Sequence, residues 1–303
     1  MMRFRIFAFA ILAASTAMWA KAEGPAAACP ADADVQVYQA SEKLEWVIQQ
    51  EDLNRDAGTV IGLANACPSR PFVQYFAARS YFYILRKLGD PNAQLQFLTG
   101  ATNALRAYDM TAPEDRVWTP DLKNEDGSDV TVNTLSGAKS MLAVDLVPLI
   151  VRFEAGGMFH EFVSYEGRKP GNPCPWQTPD LAVAEAAGYP DGFALISEFY
   201  YENGQLPNIR GAIERIEFLK TACPAAEMGL TSSLGKLYYD TARGARSVGM
   251  VEAAGDYAVL AIPEYESYRT MAEAEKVAPA RISATVIMIK DMQRLVDDAA
   301  ASE

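Results

Sequence analysis

Apolar residues recur along most of the chain at intervals of three and four positions, which is the spacing of one face of an α-helix. Segments with this pattern run from about 34 to 50, 55 to 66, 72 to 88, 136 to 154, 207 to 222, 230 to 242 and 280 to 298. Further helices are predicted around Ala93–Phe97 and Ala253–Tyr257, and from about 192 to 202. Strand-like alternation is rare and short, so the sequence predicts an all-α fold built from stacked antiparallel helical hairpins, as a solenoid or a bundle.

Two stretches rich in proline and glycine interrupt the helical pattern. Residues 111–133 and 167–189 both have the composition of loops. We therefore predict a domain boundary near residue 165, which separates one helical half at 23–165 from another at 166–303.

The N-terminus has the three parts of a secretory signal. Arg3 and Arg5 precede an apolar run from Ile6 to Trp19, and Ala20-Lys21-Ala22 offers a small-x-small cleavage site. Residues 1–22 are therefore predicted to be a signal peptide, and the protein is expected to be periplasmic or secreted. An uncleaved N-terminal anchor is the alternative.

No later segment is predicted to span a membrane. The best candidate, Met141 to Phe153, is short and is interrupted by Asp145, Pro148 and Arg152, which favours a buried helix.

The charge balance is strongly acidic. Cleavage of the signal peptide would remove Arg3, Arg5 and Lys21 from the 27 basic residues. The mature chain would then have 24 basic and 39 acidic residues, a net charge near −15. Nucleic acids and anionic lipids are bound through clusters of basic residues, so neither is an expected partner.

The four cysteines are each followed by proline, at Cys29, Cys67, Cys174 and Cys223. An even number of cysteines in an exported chain indicates disulfides. Two predicted helices separate Cys29 from Cys67, and two separate Cys174 from Cys223. We therefore predict the disulfides Cys29–Cys67 and Cys174–Cys223, each joining the ends of a helical hairpin. Free thiols and a different pairing are the alternatives, and Ala26-Ala27-Ala28-Cys29 also loosely resembles a lipoprotein box.

The two halves show similar spacing after their second cysteine. Ala78 and Tyr81 follow Cys67 much as Gly235 and Tyr238 follow Cys223. This favours an internal duplication, although chance similarity between helical stretches is the alternative.

Leu234-Gly235 with Tyr238, then Ala253 and Tyr257, resembles the tetratricopeptide-type helical hairpin. Ala212-x-x-x-Ile216 followed by Pro224 resembles it more weakly. The spacing between the two parts of the motif is longer than that repeat allows, and most of its other consensus positions are missing. The resemblance implies stacked antiparallel helices and, by analogy, a protein-binding groove.

Tyrosines are the most suggestive binding residues. The candidates are Tyr81, Tyr83, Tyr238, Tyr239 and Tyr257. Tyrosine combines apolar area with a polar tip and suits binding surfaces, whereas a tyrosine stripe in a helix core is the alternative.

No residue group has the spacing of a known catalytic or metal site, and no cofactor is predicted. His160 is the only histidine, which excludes a metal site built on several histidines. Ser136-x-x-Lys139 lacks the companion motifs of penicillin-interacting enzymes. The acidic stretch from Asn124 to Asp129 fails the spacing of a calcium-binding EF-hand and is interpreted as a turn.

The sequence therefore favours a non-enzymatic exported interaction or scaffolding protein with an unknown protein partner. One alternative is an envelope glycan hydrolase or lyase using carboxylate pairs such as Glu161 with Glu166 or Glu198 with Glu202. The other is a protein that binds a small ligand between its helices.

Overall fold

The computed structural model describes residues 28–47, 49–124, 126–155, 174–193, 200–201 and 203–302. These residues are predominantly helical, and the predicted all-α fold is confirmed. They divide between Thr134 and Leu135 into two compact units, named the N-terminal unit and the C-terminal unit. The predicted boundary near residue 165 and the predicted signal at residues 1–22 lie outside the described residues.

The described part of the N-terminal unit contains four helices and a short β-hairpin. They are α1 (Ala33–Trp46), α2 (Gln50–Ala66), α3 (Pro71–Leu85), α4 (Pro91–Thr111), β1 (Val117–Trp118) and β2 (Val132–Asn133). Proline opens both α3 and α4, where its missing N–H costs no hydrogen bond. The antiparallel strands lie within 111–133, which the sequence predicted only as a loop.

Helices α3 and α4 form an antiparallel hairpin. The rings of Tyr75 and Tyr108 lie 5.5 Å apart, and those of Tyr81 and Phe97 lie 5.9 Å apart. Residues late in α3 therefore meet residues early in α4.

Helix α1 runs parallel to α3. Arg70 pairs with Asp34 at 3.3 Å, and Arg79 pairs with Glu42 at 2.6 Å, so the contacts advance along both helices together. Parallel alignment of alternate helices is what stacked helical hairpins produce.

From Thr134 onward the described chain is again helical. Its elements are α5 (Thr134–Ser140), a π-helical turn (Met141–Leu146), α6 (Val147–Ala155), α7 (Pro179–Phe193), α8 (Arg210–Ala222), a 3₁₀ turn (Pro224–Ala226), α9 (Glu227–Ser247), α10 (Val251–Ala274) and α11 (Pro279–Ala300).

Helix α7 corrects the prediction of a loop over residues 167–189. Pro179 opens this helix, and the alanine-rich sequence that follows has high helix propensity. The density of prolines just before Pro179 concealed the start of the helix. The helix predicted for residues 192–202 falls mostly outside the described residues.

The π-helical turn joins α5 to α6 in one continuous helix. The Val147 N–H donates to the Leu142 carbonyl, five residues earlier. Pro148 follows and has no N–H to donate, which explains why the regular ladder is interrupted here.

Among the described residues, Thr134–Phe153 is long and apolar enough to cross a membrane by length and composition, and nearly half of it is buried within the protein. Core helices of soluble proteins have the same character, so the absence of a membrane span stays a prediction.

The last three helices form a stack in which direction alternates. Tyr239 donates to Asp291 at 3.0 Å, and Arg246 pairs with Asp298 at 3.0 Å, so α9 and α11 run parallel. Gly255 of α10 lies against α11, where an added Cβ would sit 2.5 Å from the Cβ of Ala299.

Both predicted disulfides are present. Cys29 bonds to Cys67 with a Cα–Cα distance of 5.1 Å, and Cys174 bonds to Cys223 with 4.8 Å. Cys67 and Cys223 each cap the C-terminus of a helix with nearly the same backbone angles, φ −126° with ψ 52° and φ −122° with ψ 65°. The repeated Ala-Cys-Pro sequence therefore has a repeated local structure.

Candidate functional site

The five candidate tyrosines occupy two kinds of environment. Tyr81 and Tyr238 are buried, with 5% and 6% of their surface exposed. Tyr83, Tyr239 and Tyr257 are partly exposed. Only the second group leaves a substantial part of the side chain exposed to solvent.

Tyr81 packs inside the α3–α4 hairpin. Its ring covers Gly100, where an added Cβ would lie 3.2 Å from the ring. Burial raises the pKa of Tyr81 to about 12. These are properties of a core residue.

Tyr83 belongs to a polar network between α1 and α3. Arg79 Nε donates to the Tyr83 hydroxyl at 2.9 Å, and that hydroxyl donates to Glu45 Oε2 at 3.1 Å. The Arg79 guanidinium also bonds Glu42 at 2.6 Å and Glu45 at 3.1 Å, and it lies over the Tyr83 ring. The carboxylates thus hold α1 against α3 through one arginine.

The surroundings of Tyr83 and Arg79 fix the protonation states of these two side chains. Burial raises the pKa of Tyr83, with the Arg79 charge and hydrogen bond opposing it, so the phenol stays protonated. Burial works against the Arg79 charge, but its hydrogen bond to Tyr83 and the charge of Glu42 raise the pKa of the guanidinium. Neither the Tyr83 phenol nor the Arg79 guanidinium changes its protonation near neutrality, which suits a rigid support better than acid–base chemistry.

Trp46 stands next to this network at the end of α1. It is 76% exposed, the highest value among the large hydrophobic side chains of the described N-terminal unit. Glu45 is the residue before Trp46, and its backbone carbonyl accepts a hydrogen bond from the Lys87 ammonium at 3.2 Å. The side chain and the backbone of Glu45 are therefore both held, and Trp46 projects from a fixed helix end. The sequence did not identify Trp46, because the spacing of apolar residues along a helix does not tell which aromatic side chain will face the solvent.

The C-terminal unit repeats the tyrosine–arginine–carboxylate arrangement. Tyr239 of α9 donates to Asp291 of α11 at 3.0 Å and accepts from Arg243 Nη1 at 3.4 Å. Arg243 also lies over the Tyr239 ring, 5.5 Å from its centroid. Burial, followed by the hydrogen bond to Asp291, raises the pKa of Tyr239.

The other two tyrosines of the C-terminal unit differ in depth. Burial raises the pKa of Tyr238 to about 12 and also raises the pKa of the partly exposed Tyr257. No hydrogen bond joins the Tyr257 hydroxyl to another of the described residues.

Buried ion pairs are the polar features that sequence reasoning did not find. In the C-terminal unit, Arg215 forms a bidentate pair with Glu185 at 2.5 and 2.9 Å, and Trp176 Nε1 donates to the same carboxylate at 2.5 Å. In the N-terminal unit, Arg116 pairs with the buried Asp109 at 2.9 Å. The Arg215–Glu185 pair meets its charges within its own core, which is a structural role. In the other pair, Arg116 Nη1 is buried and has no hydrogen-bond partner among the described residues. Surface and buried charges look alike in a single sequence.

Five of the sequence candidates for catalysis lie outside the described residues: His160, Glu161, Glu166, Glu198 and Glu202.

The Ser-x-x-Lys and acidic-turn candidates are described. Lys139 pairs with Asp180 at 2.9 Å. Ser128 donates through its backbone N–H to Asp126 in an exposed turn, which agrees with the interpretation of that stretch as a turn. Within the described ranges, no three metal-binding side chains gather in one place.

Comparison with known proteins adds no relative to this picture: no protein-family model, no curated protein and no solved structure matches the chain.

Proposed function

We propose that this protein is an exported, non-enzymatic interaction or scaffolding protein, and that it binds a protein partner through the surface around Trp46. The observation that carries the proposal is the exposure of Trp46 at a helix end that Arg79, Tyr83 and Lys87 hold in place. An exposed indole on a rigid support loses little entropy on binding. Tryptophan is also enriched among the residues that dominate binding energies.

The wider architecture supports this proposal. In both units alternate helices run parallel, as in stacked hairpins, and such stacks commonly serve as binding scaffolds. A tetratricopeptide-like repeat remains part of the proposal on the strength of the Leu234-Gly235 and Tyr238 pattern.

Export is the second part of the proposal. Disulfides such as Cys29–Cys67 and Cys174–Cys223 form and persist in oxidising compartments outside the cytoplasm. The N-terminal sequence also has the pattern of a secretory signal. We place the protein in the periplasm or among secreted proteins on these grounds.

Site-specific photo-crosslinking in the producing cell tests the Trp46 surface. A benzophenone amino acid at Trp46 is expected to give one discrete adduct of defined mass. The same amino acid at Ile287, an exposed apolar position 67% accessible in the C-terminal unit, is the matched control. Absence of an adduct at Trp46, or the same adduct from both positions, contradicts the proposed surface.

A further inference from the structure

The two cysteines of the N-terminal disulfide differ in access to solvent. Cys29 is exposed and precedes α1, whereas Cys67 is 2% exposed at the end of α2. An external thiolate must reach a sulfur along the disulfide axis before it can react. Only the Cys29 sulfur belongs to an exposed residue.

The geometry points to Cys29 as a thiol-exchange site, and we propose that low-molecular-weight thiols such as glutathione modify it there. The thiolate of glutathione attacks Cys29 Sγ, a new S–S bond forms, and the Cys29–Cys67 bond breaks. Its electron pair leaves on Cys67 Sγ, which takes a proton from water. Glutathione is thereby oxidised into a mixed disulfide, and Cys67 is reduced to a thiol.

Cys67 is a poor leaving group. It is buried, which disfavours the thiolate, and it caps a helix C-terminus, where the helix dipole also disfavours negative charge. The forward step is therefore slow, and the reverse attack of Cys67 on the mixed disulfide restores the original bond.

Other contacts keep the partners of the bond together while it is open. Arg70 Nη1 donates to the Ala31 carbonyl at 2.8 Å and to Asp34 at 3.3 Å. Trp118 Nε1 donates to the second oxygen of Asp34 at 2.9 Å. Because α1 stays docked through these bonds, Cys29 remains near Cys67, and the modification is local and reversible.

The Cys174–Cys223 bond is the internal reference. Cys223 is also buried at a helix end, but Cys174 is only partly exposed, and Trp176 two residues later is 1% exposed and bonded to Glu185. The second bond is therefore expected to exchange more slowly than the first.

Peptide mapping of the intact protein tests the proposal. The folded protein is incubated with reduced glutathione and quenched in acid, and is then denatured and alkylated with N-ethylmaleimide before digestion. The expected result is glutathione on Cys29 and alkylation of Cys67, with Cys174–Cys223 intact and helical circular dichroism unchanged. Glutathione on Cys67, or simultaneous opening of both bonds, overturns the proposal.

A variant tests the role of the docked helix. Asp34→Ala removes the carboxylate that Arg70 and Trp118 share, so the open form closes more slowly and the Cys29 adduct should rise about ten-fold. Asp52→Ala, which removes an exposed partner of Arg55, is the control and should leave the adduct unchanged. Equal adduct levels in the two variants contradict the proposed reclosure.

Discussion

At the scale of single residues, the tyrosines differ in what surrounds their hydroxyl groups. The Tyr83 hydroxyl donates to Glu45 and accepts from Arg79. The Tyr265 hydroxyl is buried and has no hydrogen-bond partner among the described residues. Sequence alone treats these two side chains as equivalent, because propensity and periodicity place a ring but do not locate its hydroxyl.

Removal of these two hydroxyls should affect the free energy of unfolding differently. Tyr83→Phe breaks a satisfied network and should lower the free energy of unfolding by about 1 kcal/mol. Tyr265→Phe removes a buried, unpartnered polar group and should be neutral or raise it by about 1 kcal/mol. Urea denaturation of both variants measures the difference, and a loss of stability in both would contradict the assignment.

The buried Tyr81 should make the stability of the protein depend on pH in the alkaline range. Burial raises its pKa to about 12 in the folded protein, above the value of about 10 for an exposed tyrosine. The unfolded chain therefore loses this proton first as the pH rises above 10, so the stabilisation is complete below pH 10 and is lost as the pH approaches 12. The total for a shift of this size is about 2–3 kcal/mol.

Tyr81→Phe removes the ionisable group and isolates this effect. The variant should match the wild type near neutrality and become relatively more stable as the pH rises from 10 to 12. Thermal unfolding at several pH values measures the gap between the two proteins. A gap that stays constant over this range would show that Tyr81 does not titrate as its burial requires.

At the scale of helices, glycine marks where two elements approach closely. Gly255→Ala would place a Cβ 2.5 Å from the Cβ of Ala299 and force α10 and α11 apart. The expected loss of stability is about 1–3 kcal/mol. Gly58→Ala in α2 is the control, because nothing lies within 4 Å of its added Cβ and alanine favours a helix by about 0.5–1 kcal/mol. Melting temperatures should fall for the first variant and rise for the second.

The sequence predicted the all-α fold and the disulfide pairing, but it did not predict helix α7, the β-hairpin or the exposure of Trp46. Apolar spacing located α1, α3, α9 and α11 to within a few residues. It missed α7, because the prolines before Pro179 resemble a loop, and it missed the β-hairpin, because each strand has only two residues. The exposure of Trp46 could be identified only from the structure, because exposure depends on tertiary packing.

At the scale of the whole chain, each compact unit carries one disulfide of similar span. The bonds close loops of 38 and 49 positions. In the chain-entropy treatment the stabilisation grows only with the logarithm of loop length, so each bond contributes about 4 kcal/mol and the two differ by about 0.3 kcal/mol or less.

Two double variants compare these contributions. Cys29→Ala with Cys67→Ala, and Cys174→Ala with Cys223→Ala, should each lower the free energy of unfolding of their own unit by a similar amount. Denaturation followed with a probe in each unit measures the two losses separately, with a fluorophore attached at position 46 reporting on the N-terminal unit and one attached at position 287 reporting on the C-terminal unit. Equal losses would mean that both bonds act by restricting the unfolded chain. A much larger loss for one pair would mean that its bond holds native contacts that packing alone cannot, and the Glu185–Arg215–Trp176 cluster near Cys174 would be the first place to look for them.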